Sequence, residues 1–168
     1  MAKKGTAAKY PVKVVPGGGT AVYDALFWAC KDRMGPRDWL KPARRIVVLI
    51  SDEEDNLSHV TRHYAASEAL NAGTVAFTIN TNDSGLTTAG ERVLEDIAET
   101  TGGESFARFG RKNLPKVFAS IQESVDGMYF LSYVPPDASK NAIHELEVKP
   151  ARKEKFELSY PRKYFWNP

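Results

Sequence analysis

The stretch Ile46-Val-Val-Leu-Ile50, which continues into Ser-Asp-Glu-Glu-Asp-Asn56, decides the fold class of this chain. Five consecutive aliphatic residues, mostly β-branched, predict a strand that is buried on both faces, as strands of parallel sheets are. Outward from it, further strands are predicted at 75–79 and 105–109. Helices are predicted near 20–34, 58–72, 88–101 and 114–125. Alternating strands and helices predict an α/β fold with a mostly parallel sheet flanked by helices.

Glycines, and a change in the spacing of apolar residues, mark the boundaries between the predicted segments of the chain. Gly73 is predicted to end the second helix, and Gly102 with Gly103 the third. After Gly127 the apolar period becomes two, which predicts a C-terminal antiparallel β extension of three strands at 129–134, 143–148 and 156–160. We therefore expect a lead-in over 1–15 that is partly disordered or serves as a substitute strand, with a short strand at 12–15. An α/β domain over 16–128 and the extension over 129–168 follow it.

The composition narrows the function classes. The 168 residues include 23 basic and 21 acidic side chains, and this near balance gives no reason to expect nucleic acid as a partner. The single cysteine, Cys30, excludes an internal disulfide and is predicted to be a buried thiol on the first helix. No apolar run reaches the roughly 18 residues of a membrane span. No signal peptide is predicted either, so the chain as written would stay in the cytoplasm.

Three polar loops are expected at the carboxyl edge of the sheet, where open α/β sheets bind ligands. They are 17–20, 51–56 and 80–85. Asp52 directly follows the buried strand, so it could ligate a hard cation such as magnesium or simply end the strand. The candidate ligand-loop residues beside it are Gly18, Gly19, Ser51, Glu54 and Asp55.

Nucleotide and zinc patterns are incomplete. The glycine loop is followed by Thr20 without the lysine of a Walker A loop, and Val22 stands where a dinucleotide fingerprint needs its third glycine. Thr20 could instead cap the helix that follows, and an anion could bind at that helix start. His59 and His63 are four apart on a predicted helix, a spacing that suits zinc ligands or a pair of surface histidines.

Two segments resemble the von Willebrand factor type A (VWA) family. Pro16-Gly-Gly-Gly-Thr-Ala-Val-Tyr-Asp-Ala-Leu26 and Ile46–Asn56 are similar to the second and third metal-site segments of VWA domains, in particular those of the bacterial VWFA-related group. Three further stretches, in the same order, agree with that group: Ile97–Phe106, Tyr129–Tyr133 and Pro161–Phe165.

The resemblance implies a Rossmann-like sheet and a metal-ion-dependent adhesion site (MIDAS). In such a site a divalent cation, usually magnesium, completes its coordination with an acidic group of a partner protein. Carried over by position, Thr20 is the threonine ligand and Asp52 the aspartate ligand. The implied function is a non-enzymatic protein-interaction module of the adhesion type, in a family whose members are often exported.

The chain departs from the family at its start. No Asp-x-Ser-x-Ser motif precedes Gly17, so we expect the first strand, the first helix and at least one further strand of the family pattern to be missing from this sequence. Two ligands cannot enclose magnesium, and metal binding by this chain alone is expected to be weak or absent. Without its central neighbour the 46–50 strand would expose an edge. Self-association through that edge is the preferred hypothesis; residues 8–16 or a separate chain could cover it instead.

A second class of function stays open beside the interaction module. A small nucleotide-binding or metal-dependent enzyme domain could use the Gly17–Thr20 loop and the Asp52 cluster. The incomplete loop patterns and the lack of a matched nucleophile and base count against it. A third interpretation, which the absent Asp-x-Ser-x-Ser motif favours, is a structural fragment without a ligand of its own.

Overall fold

The computed structural model describes residues 18–35, 43–52, 55–82, 85–131, 142–151 and 158–166. The helices are α1 (Val22–Trp28), which continues as a π-helical segment (Ala29–Met34), α2 (Arg62–Asn71), α3 (Ala89–Thr101) and α4 (Leu114–Asp126), the last preceded by a 3-10 turn (Arg111–Asn113). The strands are β1 (Arg45–Ser51), β2 (Thr74–Asn80), β3 (Ser105–Phe106), β4 (Ala142–Glu145) and β5 (Lys163–Trp166).

The first three strands form a parallel sheet in the order β1-β2-β3. β1 and β2 pair along their whole length, from Arg45 opposite Thr74 to Ser51 opposite Asn80. β3 pairs with the second half of β2, where Ile79 lies opposite Phe106. The prediction of an α/β fold with a parallel sheet flanked by helices is therefore confirmed.

Two apolar clusters hold the helices against the sheet. The first joins α1, α2 and α3, and its buried members are Leu26, Cys30, Ala65, Ala69, Ala72, Ala76 and Ile97. The alanines of α2 have small side chains, which let that helix approach α1 and β2 closely. The second cluster lies on the other side of β2 and packs it against α4 through Phe77, Ile79, Val117 and Ile121. Burial of Cys30 confirms the prediction of an inner thiol and raises the pKa of that thiol.

β1 differs from its prediction. It was expected to be buried on both faces, yet Val48 is 37% and Ile50 54% exposed. β2 is the strand enclosed on both faces, because the first apolar cluster covers one face through Ala76 and the second covers the other through Phe77 and Ile79. The other face of β1 does pack inward, through Val47 and Leu49. A run of aliphatic residues thus marked a strand correctly but not its burial.

Local signals set the helix ends. The Thr61 and Thr88 hydroxyls each accept the amide hydrogen of the residue three positions on, which fixes the starts of α2 and α3. Gly102 ends α3 in the left-handed conformation, with φ +80°, as predicted. Gly103 approaches the Ala76 carbonyl so closely that a Cβ would lie 2.0 Å from its oxygen. α2 begins at residue 62 rather than 58, because the residues before Thr61 bond to α1 instead.

The C-terminal region contains one antiparallel pair in its described part, not the predicted three strands. β4 pairs with β5, from Ala142 opposite Trp166 to Glu145 opposite Lys163. Residues 129–131 and 158–160 are not in strands, and the remainder of those two predicted strands lies outside the described residues, as does the predicted strand at 12–15. The Ser159 hydroxyl donates to the Gly102 carbonyl oxygen at 3.0 Å, so the segment before β5 is attached to the end of α3.

None of the helices in the described ranges combines the length and the apolar character that a bilayer crossing requires. The longest, α3 and α4, have 13 residues each.

Candidate functional site

The glycine loop before α1 is hydrogen-bonded to the loop after β1. The Thr20 amide donates to Asn56 Oδ1 at 2.8 Å, and the Asn56 amide donates back to the Thr20 carbonyl oxygen at 2.9 Å. Gly19 permits this contact, since a Cβ there would lie 1.8 Å from Asn56 Oδ1. Gly18 has φ +89°, a left-handed conformation that favours glycine. Two segments 36 positions apart in sequence are therefore held as one unit.

Asp55, in the loop after β1, caps the start of α1. Its Oδ2 accepts the Tyr23 amide hydrogen at 2.9 Å and the Ser58 hydroxyl at 2.6 Å, and its Oδ1 accepts the Ser58 amide at 3.2 Å. Burial by itself would raise the pKa of Asp55, but the hydrogen bonds from Ser58, Tyr23 and Val22 outweigh burial and lower that pKa. The carboxylate stays ionised next to the positive end of the helix.

Asp24 makes the reciprocal attachment from α1. Its Oδ1 accepts the amide hydrogens of His59 and Val60, each at 2.9 Å, and its Oδ2 lies 3.0 Å from His59 Nδ1. The Val60 amide is the main reason that the pKa of Asp24 is lowered, followed by the His59 side chain and amide. His59 thus precedes α2 and contacts Asp24, whereas His63 lies within α2. The prediction that the two histidines share a helix was therefore wrong.

Of the two metal-ligand candidates, Thr20 lies on this unit and Asp52 precedes Asn56 by four residues in the sequence. Thr20 is half-buried, and its backbone is held by Asn56 and Leu57. Asp52 is exposed and directly follows β1. Among the described residues, neither the Thr20 hydroxyl nor the Asp52 carboxylate has a hydrogen-bond partner, whereas the oxygens of Asp55 are engaged. Thr20 was also predicted as a helix cap, but α1 begins two residues later and Asp55 performs that role.

The remaining ligand-loop candidates, where the structure describes them, contribute to the backbone structure of the loops. Ser51 is buried at the end of β1, and its carbonyl oxygen accepts the Thr81 amide at 2.8 Å, which joins the loops after β1 and β2. In the second of these loops, Asn80 Oδ1 accepts the Asn82 amide at 2.7 Å. Gly18 and Gly19 contribute close backbone approach, and Glu54 lies outside the described residues.

The donor types at Thr20 and Asp52 suit magnesium. A hydroxyl and a carboxylate are hard oxygen ligands, and magnesium in proteins is commonly bound through one or two carboxylates with several waters retained. The part of the chain that the structure describes contains no group of three or more His, Cys, Asp or Glu side chains placed to hold a metal. These two residues would therefore supply a minority of six ligands.

The start of α1 is poorly suited to an incoming anion. Its first amides already donate to a carboxylate and a hydroxyl: Tyr23 to Asp55, and Asp24 to Ser58 Oγ at 3.0 Å. A phosphate would have to displace Asp55 and would meet its negative charge. This geometry gives the nucleotide alternative no added support.

An ion pair after β3 was not foreseen from the sequence. Glu91 is 1% exposed, and its Oε1 lies 3.0 Å from Nη2 of Arg108, although no N–H of that guanidinium is aligned for a hydrogen bond to it. Arg108 has φ +53°, and its Nη1 donates to the Thr87 hydroxyl at 3.2 Å. The pair ties the loop after β3 to the start of α3. The pattern Thr88-x-x-Glu91 is a helix-capping signature that places Glu91 at the start of α3, but it gives no indication of the pairing with Arg108.

No protein-family model and no curated protein sequence matches this chain. Among solved structures, the chain is similar to an uncharacterized membrane spanning protein from Vibrio fischeri, at 21% sequence identity and a TM-score of 0.43. The similar region covers 49% of this chain and 48% of that one, so it spans about half the length of the solved protein.

Proposed function

We propose that this chain is a protein-interaction module of the VWA type with a partial metal-ion-dependent adhesion site. Thr20 and Asp52 contribute a hydroxyl and a carboxylate to a magnesium ion, waters fill most other positions, and an acidic side chain of a partner protein completes the coordination. The resemblance of the glycine loop and of the segment after β1 to the family's metal-site segments motivates this assignment.

One observation carries the proposal. The loop that bears Thr20 is fastened to the loop after β1 by bonds in both directions between the backbone of Thr20 and Asn56. Asn56 follows Asp52 by four residues. The backbone of Thr20 is thus held, while its hydroxyl is not used by any described residue. A preformed backbone with an unused oxygen is what a cation ligand requires.

Manganese provides the test, because it takes the same oxygen ligands as magnesium and broadens NMR signals of nearby nuclei. Titration into 15N-labelled protein should first broaden the amide signals of Gly19, Thr20 and Asp52, with a dissociation constant on the order of millimolar. Asp52→Asn should remove the effect. Asp32→Asn, which alters an exposed carboxylate on the π-helical segment, should leave it unchanged.

A carboxylate ligand probes the interaction itself. If a partner's acid completes the coordination, acetate should tighten manganese binding to the wild type after correction for acetate–metal binding in solution. It should not do so for Asp52→Asn. Several millimolar manganese without selective broadening around Gly19 and Asp52 would refute the proposed site.

A further inference from the structure

The open side of β1 carries a row of residues with charges at its ends. Residues 46, 48 and 50 lie on one face of β1, since side chains alternate along a strand, and residues 44 and 52 flank the strand at its two ends. They read Arg44, Ile46, Val48, Ile50, Asp52. Val48, Ile50 and both charged residues are exposed. Among the described strands, β1 has a neighbour on one side only. The row therefore borders a sheet edge with apolar side chains, and along residues 46–50 that edge has no partner among the described strands.

We propose that a second copy of this chain pairs with this edge, β1 against β1 in antiparallel orientation, with Val48 opposite Val48 of the second copy. A two-fold axis perpendicular to the sheet gives this arrangement and keeps the same face of both copies together. Ile46 then lies opposite Ile50, and Arg44 opposite Asp52, each pair occurring twice. Two three-stranded sheets join into one of six strands.

The sequence of the row selects this register. With the axis at Val48, apolar residues meet apolar residues and opposite charges meet at both ends, which is the favourable pattern for cross-strand pairs. An axis at position 47 would set Ile50 opposite Arg44. An axis at position 49 would set Asp52 opposite Ile46. Each alternative places a charge against an aliphatic side chain.

Charge and neighbouring surface support a copy of the same chain as the occupant. Residues 46–51 contain no charged side chain, so no like charges meet between the two ends. Arg44 donates to the Met128 carbonyl oxygen at a long 3.4 Å, and a guanidinium has further N–H groups to offer. That bond places the 128–131 segment beside the start of β1, and in it Tyr129 is 91% and Leu131 77% exposed. These exposed side chains adjoin the start of the edge strand.

The dimer extends the proposed interaction role, and it is independent of metal. Asp52 belongs to both arrangements, so the two are measured under different conditions. Dimerisation is measured in EDTA, which removes metal ions, and metal binding is measured at protein concentrations too low for the dimer to form. Manganese binding can fail while the dimer forms, and the converse also holds. The two proposals therefore fail separately.

Cysteine cross-linking tests the register. Directly opposite residues in an antiparallel pair have Cα atoms about 4.5–5.5 Å apart, within disulfide range. Val48→Cys should thus form a disulfide-linked dimer under mild oxidation. Ile50→Cys is the matched control: Ile50 is more exposed, but two copies of it would be about 14 Å apart along the strands. Mixing Ile46→Cys with Ile50→Cys should restore cross-linking. The wild type has only buried Cys30 and should not cross-link.

Charge reversal tests the proposed Arg44–Asp52 pairs at the two ends of the paired strands. By analytical ultracentrifugation, Asp52→Arg should raise the dimer dissociation constant about tenfold, because Arg44 would face arginine twice. Combining it with Arg44→Asp should restore wild-type association. A monomer at every concentration, as when residues 8–16 or another protein cover the edge, would overturn the proposal. A dimer in which Val48→Cys cross-links no better than Ile50→Cys would overturn it equally.

Discussion

Removing the Asp55 carboxylate should loosen the attachment between α1 and the loop after β1. Asp55→Ala deletes the acceptor of the Tyr23 amide at 2.9 Å and of the Ser58 hydroxyl at 2.6 Å and amide at 3.2 Å. Loss of a helix cap costs about 0.5–2 kcal/mol, and bonds to a charged acceptor are at the upper end of hydrogen-bond strengths. Since the site is partly exposed, water replaces some of these bonds. We expect the free energy of unfolding to fall by about 2 kcal/mol.

Urea denaturation followed by circular dichroism at pH 7 measures this change. In a chain of this size, 2 kcal/mol corresponds to a fall in Tm of roughly 6 °C. Asp55→Asn keeps one acceptor oxygen and should cost about half as much. Asp32→Ala, on the exposed side of the π-helical segment, is the control and should stay within about 0.5 kcal/mol of wild type. If Asp55→Ala were as stable as that control, the capping role of Asp55 would be wrong.

The pH dependence of this stabilisation has a definite sign. The pKa of Asp55 is lowered in the folded protein, so its contribution is fully present above the unfolded pKa of about 3.9. It is lost as the pH falls through the folded value. The stability difference between wild type and Asp55→Asn should therefore persist from pH 7 to about pH 5 and close below pH 4.

Two further substitutions test close backbone contacts. Gly19→Ala should cost about 1–2 kcal/mol, because the new Cβ would displace the Asn56 side chain from its hydrogen bond, whereas Gly127→Ala has room and should be nearly neutral in the same urea titration. Thr101→Val should cost about 1–3 kcal/mol, because it leaves the buried Ala76 amide without its 3.0 Å acceptor; Thr101→Ser keeps the oxygen, and a result equal to valine would contradict this reason.

The helices and the parallel strands were predictable because their signals are local. The α3 helix shows this: it was predicted over 88–101 with a stop at Gly102, and it runs from Ala89 to Thr101 and ends at Gly102. The extension was less predictable. Alternation over 143–148 marked β4, but its partner β5 carries no comparable alternation, so pairing depended on the rest of the fold.

The site was predictable only in part. Thr20 and Asp52 were identified through a resemblance between short segments, and Asp55 was assigned to a ligand loop although the structure uses it as a cap. The partners that explain Asp55 and Asp24 lie 32 to 36 positions away in sequence, apart from Ser58. No periodicity or spacing rule reaches that far, so these contacts were not foreseen.

By itself, the sequence determined the fold class and the order of most elements, because periodicity and glycine stops act over a few neighbouring residues. Only the tertiary structure decided that β2 rather than β1 occupies the middle of the described sheet, and that the glycine loop is fastened to Asn56. The physical reason is that strand neighbours and cross-loop hydrogen bonds depend on how distant segments pack. An aliphatic strand has the same sequence pattern whether it has one neighbouring strand or two.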